Sequence, residues 1–271
     1  MYEEYWGLTE PAFSLTPDPK FLYLSKKHSD CLTMLKYAVA GNKGAAMVTG
    51  DIGCGKTTLS RKLLDDLEED QHEVAMIVNP VLTPVQFLAE VLEQFGDGEL
   101  PRNRQILVKK LNEKLLELNR AGKRAILLID EAHLIRDRGT FEEIRLLLNF
   151  QLNDRFLLSL ILIGQPELRP KIERIPALMQ RVAIRGSVGP FDEGETAQMV
   201  EFRLKQAWYM GENSLFTPDA IHELHSYTQG YPRIVCEIAD NALLVGMVQN
   251  AKHIDGLLMK SVIMDFEGKE W

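Results

Sequence analysis

The sequence predicts an α/β fold: a three-layer body with a parallel sheet between helices, followed by an all-helical domain. Three observations lead there. Short apolar runs alternate with amphipathic helical stretches from residue 45 to about 188. Those runs are apolar on both faces, as strands sandwiched between helices are. After Gly189-Pro190 the strand pattern stops and only helical periodicity continues. The expected division is an arm at 1–27, an α/β body at 28–190 and a helical domain at 191–271.

The arm carries Pro11, Pro17 and Pro19 among Tyr5, Trp6, Phe13, Phe21 and Tyr23, and reads as an irregular segment packed on the body. His28 to Asn42 forms a helix with Leu32, Leu35 and Val39 on one face. Ala45–Thr49 is a short apolar strand, Lys56–Glu69 a helix and Glu73–Asn79 a strand. Pro84–Phe95 is a helix entered through Thr83. Gln105–Ala121 has Leu107, Leu111, Leu115 and Leu118 at helical spacing, and Arg124–Asp130 is a continuous apolar strand. A helix near Phe141–Gln151, a strand at Leu157–Ile163, a helix after Pro166 and a strand near Val182–Val188 complete the body. Helices near 192–210, 217–227, 231–248 and 254–266 follow. No internal repeat or low-complexity segment interrupts them.

Composition narrows the class. With 271 residues the chain is long enough for one large or two modest cores. At 45% hydrophobic and 26% charged it is neither disordered nor a membrane bundle. No apolar run approaches the roughly 18 residues of a spanning helix. The start, Met1 to Glu10, is acidic and has no basic-then-apolar leader, so a cytoplasmic protein is expected. Three cysteines, at 31, 54 and 236, are too scattered for a disulfide framework or a metal site. A net charge of −8 argues against non-specific nucleic-acid binding by the chain as a whole.

The sharpest motif is Gly50-Asp51-Ile52-Gly53-Cys54-Gly55-Lys56-Thr57, with Thr58 after it. It follows a strand and opens a helix, the context in which this spacing holds phosphates rather than forming a plain glycine turn. Glycines let backbone N–H groups turn inward, the helix N-terminus adds a favourable dipole, and Lys56 supplies charge for the β- and γ-phosphates. Thr57 is the expected hydroxyl ligand of Mg2+. Cys54 reads as a small filler. The second motif is the apolar strand ending in Asp130 and Glu131, at the sheet edge where ligands sit. Asp130 is expected to serve Mg2+ and Glu131 to orient or deprotonate a water that attacks ATP. Asp130-Glu131-Ala132-His133 also spells the box of one helicase superfamily. That superfamily needs a second motor domain, whereas helices follow here.

These motifs resemble those of AAA+ ATPases, and within them the general-secretion-pathway A (ExeA-like) family. The resemblance runs through Phe13 to Ser25, Glu142 to Phe150, Ile163-Gly164-Gln165-Pro166-Glu167-Leu168 and Gly230-Tyr231-Pro232-Arg233, and covers essentially the whole chain. It implies an α/β body with a helical lid, active as a homo-oligomeric ring or filament. It implies that Asn79 holds Glu131 back, that Gln165 reads the γ-phosphate where many relatives have Asn, and that Arg233 reaches it from the lid. An arginine finger is expected from a neighbouring subunit, with Arg181 the first choice, Arg185 the second and Arg174 the third. Pro19, Phe21 and Tyr23 either wall the adenine or fill a groove between body and lid.

The load is open at this level. The resemblance implies assembly of secretion or envelope machinery, acting through a separate membrane partner because no apolar span occurs in these 271 residues. The alternative is a transposition-helper ATPase that assembles on double-stranded DNA and recruits a transposase. One local feature favours that alternative. Arg102, Arg104, Lys109, Lys110, Lys114, Arg120, Lys123 and Arg124 stand against only Glu113 and Glu117. Such a run either tracks a phosphate backbone or is a solvated helix face. A third reading is a slow, nucleotide-switched scaffold using the same residues.

Overall fold

A computed structural model describes residues 1–96, 98, 101–211 and 214–268. The chain forms two compact units. One comprises Lys27–Ile52 and Leu59–Val188; the other comprises Met1–Lys26, Gly53–Thr58 and the chain from Gly189 on.

In chain order the elements are α1 (Tyr2–Trp6), a 3-10 turn (Pro19–Phe21), α2 (Lys26–Ala40), β1 (Ala45–Thr49), α3 (Lys56–Asp65), β2 (His72–Ile77), α4 (Pro84–Gln94), α5 (Arg104–Arg120) and β3 (Arg124–Ile129). A second 3-10 turn (Ala132–Leu134) precedes α6 (Arg138–Leu147), β4 (Leu158–Gly164), α7 (Leu168–Glu173), α8 (Pro176–Met179) and β5 (Val182–Ser187). Helices α9 (Glu193–Gln206), α10 (Pro218–Thr228), α11 (Pro232–Val248) and α12 (Gly256–Glu267) follow.

The first unit is built on a five-stranded sheet of order β2-β3-β4-β1-β5. Every pairing is parallel, with Thr49 beside Gly164 and Ile77 beside Ile129. Hydropathy follows position. Central β4 is buried along its whole length, and β3 is buried from Ala125 on. Edge strand β5 alternates, with Val182 buried and Ala183, Arg185 and Ser187 exposed. The core packs Phe87 and Val91 of α4, Phe95 just after it, and Leu107, Leu111 and Leu115 of α5 with Leu127 and Ile129. Boundaries move where capping decides them. Strand β2 stops at Ile77, whose carbonyl accepts the Asp130 N–H at 2.8 Å, and Val78 and Asn79 are exposed. Helix α6 starts three residues before the expected Phe141 because the Asp137 carboxylate accepts the Gly139 N–H.

The second unit has its own core, from α9 to α12. Asp192 and Glu195 form a capping box at α9, and Thr217 and Asp255 cap α10 and α12. The arm belongs to this core, a membership that the sequence did not indicate. Trp6 donates its indole N–H to the Leu243 carbonyl at 2.9 Å, and Phe13 meets Phe216 edge-on with centroids 5.9 Å apart. The Arg203 guanidinium lies over the Phe21 ring and donates to the carbonyls of Ala12 and Ser14. Aromatic spacing reveals that a segment packs, not which surface receives it.

Candidate nucleotide-binding site

The phosphate-loop sequence leaves β1 at Thr49. Gly50 donates its N–H to the Gly164 carbonyl at 3.2 Å, and a Cβ there would lie 2.4 Å from the Val188 carbonyl oxygen. No larger residue fits without moving backbone. Gly53 has φ +78° and accepts the Arg233 N–H at 3.2 Å; a Cβ would stand 2.9 Å from that of Arg233. Gly55 has the same positive φ. Cys54 is fully buried, as a filler is, and Lys56, at the first position of α3, is buried with 6% exposure. A lysine is seldom held so far from water unless its charge is paired. Asp51 and Ile52 are exposed, whereas Thr57 and Thr58 are half-buried. The glycine cradle and the N-terminus of α3 suit a polyphosphate.

Arg233 lies in the first turn of α11, behind Pro232. Its backbone is fixed on Gly53, while its side chain is 60% exposed and sits 3.7 Å from Glu237. The motif around Gly230 therefore brings an exposed guanidinium beside Gly53 of the loop.

At the end of β3, Asp130 is buried and its Oδ1 accepts the Glu131 N–H at 2.8 Å. Glu131 is left-handed, with φ +49°. Such strain in a non-glycine residue costs on the order of 1–3 kcal/mol and marks a position fixed by its surroundings. The Glu131 carboxylate lies 3.3 Å from Nδ1 of His133, and that same nitrogen accepts the Gln165 N–H at 3.3 Å. Lys171 of α7 donates to the carbonyls of His133 and Ile135, tying down the turn. Oxygen ligands such as the Asp130 carboxylate and the Thr57 hydroxyl match what Mg2+ takes.

The remaining expectations fare unevenly. Asn79 makes no hydrogen bond to Glu131; its side-chain oxygen accepts the Val81 N–H at 3.5 Å, because β2 ends two residues earlier. His133, which the sequence offered only as part of a helicase-like string, takes that place beside Glu131. Arg181 donates to the Arg145 carbonyl at 2.8 Å and immediately precedes β5, at the opposite end of the sheet from Gly50. Arg185 is exposed along β5 and donates to the Met179 carbonyl at 3.2 Å. Arg174 is exposed after α7. Phe21 and Tyr23 fill the helical unit's core: the Tyr23 ring meets Phe191 edge-on and its hydroxyl bonds Gln198, while Pro19 opens a 3-10 turn.

The basic run 102–124 is partnered in part, at no fewer than three of its eight basic side chains. Arg104 makes a two-pronged pair with Glu143, Lys109 pairs with Glu113, and Lys123 pairs with Glu73. It resembles a solvated, ion-paired helix more than a phosphate track.

Among the described residues no helix is long and apolar enough to cross a membrane. A family model described as an AAA domain matches residues 39–172, which include the glycine loop, both acids, His133 and Gln165. General secretion pathway protein A of Aeromonas hydrophila is 36% identical over 261 residues, covering 94% of this chain and 46% of that protein. An uncharacterised HTH-type transcriptional regulator of Methanocaldococcus jannaschii is 20% identical, covering 85% of this chain and 65% of its own length. The chain thus spans about half to two thirds of the curated relatives it matches. Among solved structures, Drosophila ORC bound to DNA superposes with a TM-score of 0.69 at 16% identity, over 93% of this chain and 63% of that one. The Aeropyrum pernix ORC2 protein, with ADPNP and ADP, reaches 0.68 at 14% identity, over 94% and 71%. These structural likenesses establish the fold. Residues 39–172 thus match an AAA domain, and the chain as a whole resembles the general-secretion-pathway A (ExeA-like) branch of AAA+ proteins.

Proposed function

We infer that the chain binds ATP with Mg2+, hydrolyses it to ADP and phosphate, oligomerises with nucleotide, and uses the cycle to drive assembly of a larger complex. The similarity to general secretion pathway protein A supports secretion or envelope machinery as the load. The observation that carries the ATPase reading is the glycine cradle: Gly53 at φ +78° against the Arg233 backbone, leading into a buried Lys56.

In this reading the loop N–H groups and Lys56 hold the β- and γ-phosphates. Thr57 and Asp130 hold Mg2+, which when bound neutralises charge that develops on the phosphate oxygens. Glu131 orients a water and takes its proton as the water oxygen bonds to the γ-phosphorus and the bond to the β-phosphate oxygen breaks. Gln165 and Arg233 read whether the γ-phosphate is present. An arginine from a neighbouring protomer, first Arg181, supplies transition-state charge worth about 10³–10⁵ in rate.

The test compares ATP turnover and nucleotide-dependent oligomerisation in three proteins. Wild type is expected to turn ATP over. Lys56→Ala is expected to lose nucleotide binding. Glu131→Gln is expected to bind ATP, accumulate as the oligomer and turn over at least about 100-fold more slowly. Wild-type turnover in the Glu131 variant would remove Glu131 from the chemistry. The DNA-assembly alternative is weakened at the local feature that favoured it, because Arg104, Lys109 and Lys123 of that run have carboxylate partners.

A further inference from the structure

One cavity of the α/β unit stands apart by its chemistry. It has a volume of about 340 Å³. Buried Ile135, Phe141 and Ile175 form its apolar lining, and exposed Arg136, Arg138 and Arg174, with half-buried Lys171, supply its charge. No acid lines it. The acids adjacent in sequence are committed elsewhere: the Asp137 carboxylate accepts the Gly139 N–H at 2.7 Å, and Glu173 pairs with Arg169 at 2.9 Å. Among the described residues the guanidiniums of Arg136, Arg138 and Arg174 have no hydrogen-bond or ion-pair partner, unlike those of Arg104, Arg145 and Arg169.

Four cations around one cavity repel one another, and an anionic occupant relieves that repulsion. The apolar lining selects among anions. Inorganic phosphate or a phosphodiester strand leaves Ile135, Phe141 and Ile175 facing a polar group. A peptide presents carboxylates and an apolar side chain together, and arginine pairs with carboxylates through two parallel hydrogen bonds. Anchoring one apolar side chain inside a charged rim is also how compact protein interfaces concentrate their affinity.

We propose that this cavity docks an acidic peptide segment of a partner protein, anchored by an aliphatic or aromatic side chain. Lys171 links the docked segment to the turn that carries Glu131. Its ammonium donates to the carbonyls of His133 and Ile135 while also lining the cavity, so carboxylates of the occupant compete for it. This second effect rests on the ATPase reading; the docking does not.

The test uses the full chain and labelled short peptides with a central Leu, Ile or Phe flanked by Glu and Asp, by Ser, or by Lys and Arg, read by fluorescence anisotropy. The acidic-flanked peptides are expected to bind and to weaken as salt is raised. Their affinity should fall about tenfold on replacing the anchor by Ser and about tenfold or more in Arg136→Ala/Arg138→Ala. The double variant should keep its thermal melt and its binding of a fluorescent ATP analogue. Binding indifferent to flank charge, or unchanged in the double variant, overturns the proposal. So does a labelled DNA duplex that binds wild type and is lost in the double variant while no acidic peptide binds, since the site would then take phosphates. Peptide binding in a protein that proves unable to hydrolyse ATP would leave the docking site standing. Normal ATP turnover with no peptide binding would sink the docking site alone.

Discussion

Glu131 and the Gln165 backbone address a single atom, Nδ1 of His133, each at 3.3 Å. An imidazole nitrogen serves one of them at a time. With its proton on Nε2, His133 accepts from Gln165; with Nδ1 protonated, it donates to Glu131. This residue therefore positions the group proposed to activate water and the turn proposed to sense the γ-phosphate. His133→Ala removes both contacts without touching the glycine loop. Steady-state kinetics should show kcat lowered about tenfold, roughly 1.4 kcal/mol of barrier, with KM for ATP little changed. A raised KM at constant kcat would make His133 a residue of nucleotide binding instead. None of this was legible beforehand. The sequence offers His133 only as the fourth letter of a box, and the Glu131-to-Asn79 contact expected from family resemblance needs a β2 two residues longer than the one that forms.

Elements whose signals are local were the ones the sequence disclosed. Strand β1 was bounded correctly because four apolar residues and Thr49 sit between Gly44 and Gly50, and the loop into α3 because its glycine spacing has few other uses. The start of α6 was missed because Asp137, its cap, lies among charged residues without apolar periodicity. The arm was recognised as packed, but its place in the helical core was not foreseen. Its Trp6 is 7% exposed in the helical core, beside Leu243 and Gly246, where a Cβ would stand 2.9 Å from the indole. Trp6→Ala is expected to destabilise that unit by about 3–5 kcal/mol, combining lost burial with an unfilled cavity. Denaturant unfolding should show an earlier transition for α9–α12, read by the near-ultraviolet signal of the remaining aromatics. A change below about 1 kcal/mol would mean the arm lies on the surface and contributes little.

At the scale of the whole molecule, the sheet sets which arginine can serve which nucleotide. Arg181 precedes β5, whose Val182 pairs with Ala45 at the start of β1, while Gly50 follows its end. Five strand residues separate the two edges, roughly 16 Å. Arg181 is therefore remote from Gly50 of its own chain, as the proposed role toward a neighbour requires. Arg181→Ala should bind ATP normally and lose turnover. Mixing it equally with Lys56→Ala should restore about a quarter of wild-type turnover, because one head-to-tail interface in four joins an intact loop to an intact finger. No recovery at concentrations where wild type oligomerises would remove Arg181 from that role. The overall α/β class and the all-helical end were legible because strand and helix periods differ. The membership of the arm was not, since it depends on contacts between opposite ends of the sequence.

That last feature has a consequence in time. Trp6 bonds Leu243 across 237 residues, and Tyr2 bonds Asp240 across 238. Translation proceeds at roughly 5–20 residues per second, so the arm leaves the ribosome some 10–50 s before its docking helix exists. During that interval Trp6, Leu8, Phe13 and Phe21 have no native surface to cover them. The α/β unit can complete its sheet with the arm still waiting, and the helical unit closes only after the last turns of the chain are made. Made some 237 residues before its partner, the arm is among the last of these segments to find its place.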